Sequence, residues 1–240
     1  MNHDEGYSFG LGVFETMSVT NGRCIMLDDH MNRLFHGLDV LGITSDIDSK
    51  MISDAACDGH LNGRVLKVEV SEKNIIFSDR CNPYTDNERL RGFALNISSV
   101  RRNESSPLTY IKSLGYGDSI LEKRKSKCNG FDEPLFLNSH GEICEGATTN
   151  IFFVRNGKIY TPKQECGLLP GTVRKFLMDN FSIEEAVVCP KDLSQYSECF
   201  VSNSVLGIMP VIRIDNHMFE NRKTADLMYK AYCNAVANGL

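Results

Sequence analysis

The sequence predicts a mixed α/β (α+β) protein of two domains, and three observations carry that expectation. The pairs Asn21-Gly22 and Asn156-Gly157 each separate short runs rich in apolar residues, a strong local signal for an antiparallel hairpin. Met31, Leu34, Phe35, Leu38 and Leu41 recur at the three- and four-residue spacing of one helix face. Asn103-Glu104-Ser105-Ser106-Pro107 is polar and ends in proline, which marks a linker. The chain therefore divides into a smaller N-terminal α/β domain over 1–103, a linker over 104–109 and a larger C-terminal domain over 110–240. With 240 residues, both parts have enough chain to bury a core.

The elements follow in order. Tyr7 to Gly12 reads as a glycine-punctuated turn. Val13 to Thr20 alternates, with Val13, Met17 and Val19 on one face and Thr16 and Ser18 on the other, so a half-buried strand is expected. Arg23 to Leu27 is its return strand; Asp28 is placed to cap the next helix and Gly42 to end it. Another strand is expected over Val65 to Val70. Beyond the linker, Gly117 to Lys127 reads as a helix, then short strands follow near Pro134–Leu137, Glu142–Cys144 and Asn150–Val154. The second Asn-Gly turn leads into Ile159-Tyr160-Thr161. Leu169-Pro170-Gly171 introduces a helix that buries Val173, Phe176 and Leu177 together. Strands near Cys199–Ser202 and Pro210–Ile214, then a helix from about Thr224, complete the order, with no internal repeat or low-complexity segment.

Composition narrows the function classes. Hydrophobic residues make up 42% and charged residues 24%, the balance of an ordinary globular protein. The formal net charge of -5 offers no global positive field, so nucleic acid is not an expected partner. Basic residues cluster at Arg101-Arg102 and from Lys123 to Lys127, runs that read as solvated helix faces or loops and could still attract a small anionic substrate. The nine cysteines contain no C-x-x-C pair and the histidines no ligand pattern, so neither a metal site nor a disulfide framework is expected. No apolar run is long enough to span a bilayer and no secretory signal is seen, so reduced thiols and a cytoplasmic location are the expectation.

Four constellations could carry chemistry. Lys112, after Ile111 and just past the linker, could be partly desolvated, which lowers an amine's pKa and makes it nucleophilic; alone, such a lysine reads far more often as a surface charge. Glu145 opens a turn of small residues, Gly146-Ala147-Thr148-Thr149, and points either into a cleft or along a polar loop. Pro170-Gly171 before a helix leaves backbone N–H groups for an anion, or marks a plain helix start. Ser202-Asn203-Ser204 after a strand can reach a phosphate or form a turn.

Taken together, these blocks resemble the class IV aminotransferases, the fold-type IV pyridoxal-phosphate enzymes. The run Glu-Gly-Ala-Thr-Thr-Asn-Ile-Phe from Glu145, the segment from Asn156 to Pro162 and Leu-Leu-Pro-Gly-Thr-Val-Arg up to Arg174 look like that family's signature. Phe9 to Thr16 resembles its N-terminal motif, His30-Met-Asn-Arg33-Leu34 its first helix, and Ser202 to Val211 its C-terminal motif. The blocks stand in family order over about residues 6–215. The resemblance implies a D-amino acid aminotransferase-like, two-domain architecture, with the larger domain binding the cofactor. Pyridoxal 5'-phosphate would be held as a Schiff base on Lys112, which also shuttles protons. Glu145 would bond the pyridine nitrogen and keep it protonated. Arg33 would pair with the phosphate, helped by the backbone N–H groups of Thr172 and Val173 and the hydroxyl of Ser204. Tyr116 would lie near the ring oxygen. A homodimer acting on a small-molecule substrate is implied, with no metal.

Within the family, Phe14-Glu15-Thr16, the segment from Arg101 to Leu108 and the run from Asn129 to Leu137 are similar to the aminodeoxychorismate lyases. The activity so implied is release of pyruvate and 4-aminobenzoate from 4-amino-4-deoxychorismate, for folate synthesis. The alternative is an aminotransferase acting on branched-chain or D-amino acids with a 2-oxo acid acceptor; a non-catalytic relative is the distant one. The sequence departs from the family in beginning at what is usually the second element, in Gly115 where relatives often carry Asn, and in Asn203 where transaminases have a small residue. These departures bear on substrate choice more than on cofactor binding.

Overall fold

The computed structural model describes residues 2–57 and 61–240, so His60 lies outside the described residues. Contacts divide the chain into two compact units. One gathers the chain up to Pro83 with Ile111–Tyr116 and Asn238–Leu240; the other holds Tyr84–Tyr110 and Gly117–Ala237. The chain thus enters the second unit before the polar segment at 104–109, because the strand preceding that segment pairs within the second unit's sheet.

In the first unit, Asp4 caps the short helix α1 (Glu5–Phe9), which occupies much of the segment expected as a turn. Strand β1 (Gly12–Thr20) follows, then β2 (Arg23–Cys24), helices α2 (Leu27–Leu41) and α3 (Ser49–Ala56), and strands β3 (Arg64–Ser71) and β4 (Asn74–Cys81). The strands pair antiparallel in the order β2-β1-β3-β4. The return strand is shorter than expected, because Met26 turns left-handed (φ 58°) and starts α2 as its N-cap. Asp28 therefore lies inside the first turn, where it favours the helix through its dipole and not as a cap. Gly42 ends α2 in the left-handed conformation, as expected. Val13, Met17 and Val19 face the core with Met31, Leu34 and Leu38 of α2. Gly37 permits that approach: a Cβ there would meet Val13 Cγ1 at 2.7 Å.

The second unit begins with α4 (Asp86–Arg91), held by a capping box between Thr85 and Glu88. Strand β5 (Phe93–Arg101), helix α5 (Gly117–Cys128) and strands β6 (Glu133–Leu137), β7 (Ile143–Gly146), β8 (Asn150–Arg155) and β9 (Lys158–Pro162) follow. Helix α6 (Thr172–Asn180), strands β10 (Ile183–Ala186), β11 (Glu198–Asn203), β12 (Gly207–Ile214) and β13 (His217–Met218), and helix α7 (Lys223–Ala237) complete it. The sheet order is β10-β9-β8-β11-β12-β5-β6-β7, with β13 on β12. Its pairs β5–β6, β5–β12 and β9–β10 are parallel, and the other pairs are antiparallel. Strands β6, β7 and β8 are buried almost throughout, which is why they read as short apolar runs without alternation. Leu95, Leu135, Ile143, Phe153, Val201 and Met209 form the centre of this core. Helix α6 buries Val173, Phe176 and Leu177, as its spacing predicted. Among the described residues no helix is long and apolar enough to cross a membrane, and no group of three or more His, Cys, Asp or Glu could hold a metal.

Candidate active site

Lys112 lies in the segment that returns to the first unit. The Phe14 N–H donates to the Lys112 carbonyl at 2.9 Å, the Leu114 N–H donates to the Gly12 carbonyl at 2.8 Å, and Val13 and Ser113 form an isolated antiparallel bridge. The backbone of Lys112 is thereby fixed against β1. Its Nζ stands 4.3 Å from the centroid of the Phe14 ring and 5.2 Å from that of Tyr116. Those two rings meet edge to face at 5.2 Å. Lys112 and Tyr116 are therefore brought together, and the amine is half-buried between aromatic walls.

Arg33 projects from α2 toward a carboxylate that the sequence reading passed over. Glu15 occupies the buried face of β1 between Val13 and Met17 and is fully buried. Its carboxylate accepts from Arg33 Nε and Nη2 at 2.7 Å each and lies 2.6 Å from His30 Nδ1. Burial works against its charge, but Arg33 and His30 overcome that cost and hold the carboxyl below the usual carboxylate range. Burial pushes the His30 pKa down against the pull of Glu15, with Arg33 and Lys112 acting in the same direction as burial. His30 is therefore neutral, with Nδ1–H donating to Glu15. The spacing His30-x-x-Arg33 on one helix face, and the place of Glu15 in the strand alternation, are the signals from which this cluster was readable.

In the second unit, Glu145 is the penultimate residue of β7 and is largely buried. Its Oε2 accepts the Leu169 N–H at 3.0 Å, which ties it to the segment entering α6. Its Oε1 lies 3.1 Å from Arg102 Nη2. Arg102 also donates to Ser119 Oγ at 3.0 Å and stacks 4.0 Å over the Phe136 ring. The sequence left Arg102 in a solvated basic run; the structure turns it inward to a buried carboxylate. Gly171 is the N-cap of α6, with no side chain to take up the first N–H groups, and Thr172 and Val173 are buried at that end. A side chain at 171 would collide with Asn150, whose amide donates to the Leu169 carbonyl at 2.8 Å. Glu145, Thr172 and Val173 thus cluster around one loop. Arg174 is committed to the Pro162 carbonyl and Glu185.

Ser204 follows β11 in a loop fixed by Asn203. The Asn203 side chain accepts from the Val205 and Leu206 N–H groups at 2.8 Å each and donates to the Thr148 carbonyl at 3.1 Å. Thr148 in turn donates its N–H to Glu133 at 2.6 Å. Lys123 bridges Thr148 Oγ1 and Glu133 at 2.8 Å each. Burial disfavours the Lys123 charge, yet Glu133 raises its pKa overall; the lysine is half-buried and ion-paired, where its run suggested a solvated face. The loop bearing Ser204 and the turn after Glu145 are one hydrogen-bonded assembly.

The sequence pattern of aminotransferase class IV matches residues 12–214. The chain belongs to that family. Among curated proteins it is 26% identical to an aminodeoxychorismate lyase of Bacillus subtilis, the match covering 95% of this chain and 87% of that one. It is 24% identical to a putative branched-chain-amino-acid aminotransferase of Methanocaldococcus jannaschii, over 95% and 86%. Among solved structures, a putative 4-amino-4-deoxychorismate lyase of Legionella pneumophila superposes with a TM-score of 0.86 at 24% identity, covering 98% of this chain and 94% of that one. The fold is that of the fold-type IV pyridoxal-phosphate enzymes, as expected, and pyridoxal phosphate is the cofactor of this enzyme family. The residues present fit it. The first unit, by itself, offers an amine fixed against β1; the second, by itself, offers a buried carboxylate beside Arg102 and an N–H, and a helix start without a side-chain cap. Such groups suit an aldehyde, a pyridine nitrogen and a phosphate respectively.

Proposed function

We propose that the chain is a pyridoxal-phosphate-dependent 4-amino-4-deoxychorismate lyase, releasing pyruvate and 4-aminobenzoate for folate synthesis. The observation that carries the reading is Lys112, a half-buried amine whose backbone is fixed to β1 within a chain of this family. The lyase is favoured over a transaminase by the lyase-like segments at Phe14-Glu15-Thr16, Arg101 to Leu108 and Asn129 to Leu137. Pyridoxal phosphate, when bound, supplies an electron sink for the substrate's amine carbon.

Lys112 holds the aldehyde and then acts as base, removing the ring proton from the substrate carbon that bears the nitrogen. The enolpyruvyl C–O bond breaks, the leaving group takes up a proton as pyruvate, and the ring becomes aromatic. Glu145 keeps a proton on the pyridine nitrogen, with the Arg102 guanidinium 3.1 Å from its carboxylate. Arg33, the Thr172 and Val173 N–H groups and the Ser204 hydroxyl hold the phosphate, and Tyr116 is assigned to the ring oxygen. In this reading the enzyme works in the cytoplasm as a homodimer on a small-molecule substrate.

Aromatisation makes a 2-oxo acid acceptor unnecessary, and this gives the test. Cofactor-loaded enzyme should release 4-aminobenzoate from aminodeoxychorismate without any 2-oxo acid, and Lys112→Ala should abolish both that release and the yellow colour of the lysine-bound cofactor. Amino transfer from leucine or a D-amino acid to 2-oxoglutarate, with no 4-aminobenzoate formed, would move the protein to the aminotransferases, the reading that the Methanocaldococcus relative favours.

A further inference from the structure

We propose that Glu15 is a positioning residue that aims the Arg33 guanidinium at the phosphate ester, an inference that rests on the reading of Arg33 as the phosphate clamp. The geometry is a fork pair: Nε and Nη2 of Arg33 both donate to Glu15 at 2.7 Å. This uses the side edge of the guanidinium and directs its end edge, Nη1 with the second Nη2 proton, away from Glu15. His30 holds the same carboxylate at 2.6 Å, so Glu15 cannot swing with the arginine. Carboxylate and guanidinium balance in charge, and the neutral His30 adds none.

Stability alone does not account for such a group. An ionised carboxylate on the apolar face of β1 is expensive to bury, and apolar side chains of similar volume usually serve a core as well or better. The arrangement does supply orientation. A guanidinium on a long side chain loses rotamer freedom when it binds an anion, and here that freedom is already spent within the protein. Glu15, His30 and Arg33 come from β1 and α2, so the aim is set by the close packing of helix on strand that Gly37 permits.

The test compares the full chain, freed of cofactor, for affinity toward pyridoxal phosphate and toward pyridoxal, which has no phosphate. The dissociation constant for pyridoxal divided by that for pyridoxal phosphate reads the phosphate contacts, and a general loss of structure does not change this ratio selectively. Arg33→Gln should lower the ratio by about a hundredfold, and Glu15→Gln by about tenfold with pyridoxal affinity unchanged, the range of charge-assisted hydrogen bonds. Glu15→Asp keeps the buried charge but shortens its reach; it should also lower the ratio, and it decides the question if Glu15→Gln does not fold. A lowered ratio for Arg33→Gln with a wild-type ratio for the Glu15 variants would overturn the positioning role and leave the clamp standing. An unchanged ratio for Arg33→Gln would remove the clamp itself, and the inference with it.

Discussion

Arg102 Nη2 stands 3.1 Å from Glu145 Oε1 while the guanidinium lies 4.0 Å over the Phe136 ring. The arginine thus brings a positive charge beside the Glu145 carboxylate near the end of β7. Arg102→Leu leaves that carboxylate buried with the Leu169 N–H as its remaining hydrogen bond among those described here. The expected cost is about 2 kcal/mol or more of folding stability, read by urea unfolding, because removing one partner of a buried pair strands the other. Glu145→Gln in the Arg102→Leu background should recover part of the loss; no recovery would mean that the cost came from the lost stacking on Phe136.

Gly37→Ala sets two effects of opposite sign against each other. Alanine gains about 1 kcal/mol of helix propensity over glycine. Its Cβ, however, would press on Val13 Cγ1 at 2.7 Å, an overpacking that costs about 1–3 kcal/mol in a tight core. The net expectation is a lower melting temperature for the single variant. The pair Gly37→Ala with Val13→Ala should melt above the Val13→Ala variant alone, since the clash is gone and the propensity gain remains.

The buried His30 and Glu15 predict that acid loosens the first unit in two stages. His30 has its pKa lowered by burial, so the unfolded chain binds its proton more readily than the folded one. The stability it contributes is complete above about pH 6.5, the unfolded value, and falls as the pH drops below it. Glu15 is also lowered, so its contribution is complete above about pH 4.3 and is lost at more acid pH still. Denaturant midpoints measured from pH 7.5 to pH 5 should fall in the wild type, and the slope should flatten in His30→Gln. An equal slope in both proteins would assign the acid loss elsewhere.

Eight of the nine cysteines fall into two sets by burial and should react as such. Cys57, Cys81, Cys128 and Cys233 are exposed, Cys24, Cys144, Cys166 and Cys199 are buried, and Cys189 is half-buried between them. Burial, with some help from Cys57, pushes the Cys24 thiol up to about 12, and burial pushes Cys166 up to about 11. Cys144 and Cys199 are likewise raised by burial. A thiol-specific chromogenic disulfide at pH 8 should react promptly with the exposed set and reach the buried set after denaturant is added. Reaction of Cys144 or Cys199 in the folded protein would show that their strands open without global unfolding.

The sequence made much of the fold legible where burial alternates or helix faces repeat. Strand β1, helix α2, both Asn-Gly hairpins and the buried face of α6 were all readable in this way. It was silent from Asn74 to Arg101. Strand β4 ends in four exposed residues on an edge, α4 is a single capped turn and a half, and β5 passes from a buried run into polar residues. None of these produces a period. At the site, the family motifs drew attention to Lys112 and Glu145, whose surroundings could then be described. Glu15 was passed over because a charge on a strand reads as outward-facing, although Val13, Met17 and Val19 already assigned its parity to the core. Arg102 carried no local signal, since its partner lies far along the chain and tertiary folding alone joins them.

The bridge between Val13 and Ser113 couples residues about a hundred positions apart. During vectorial synthesis the N-terminal core can close from residues that emerge early, but the Gly12–Phe14 edge of β1 waits for the segment that carries the reactive amine. Closing so long a loop costs entropy that grows only logarithmically with its length, so the delay is a matter of timing more than of equilibrium. In the interval the nascent chain presents an unpaired strand edge, the feature most prone to wrong pairing with other chains. A product truncated before residue 112 would retain most of its N-terminal hydrophobic interior and still be unable to capture an aldehyde, so competence for the cofactor is withheld until translation has passed that point.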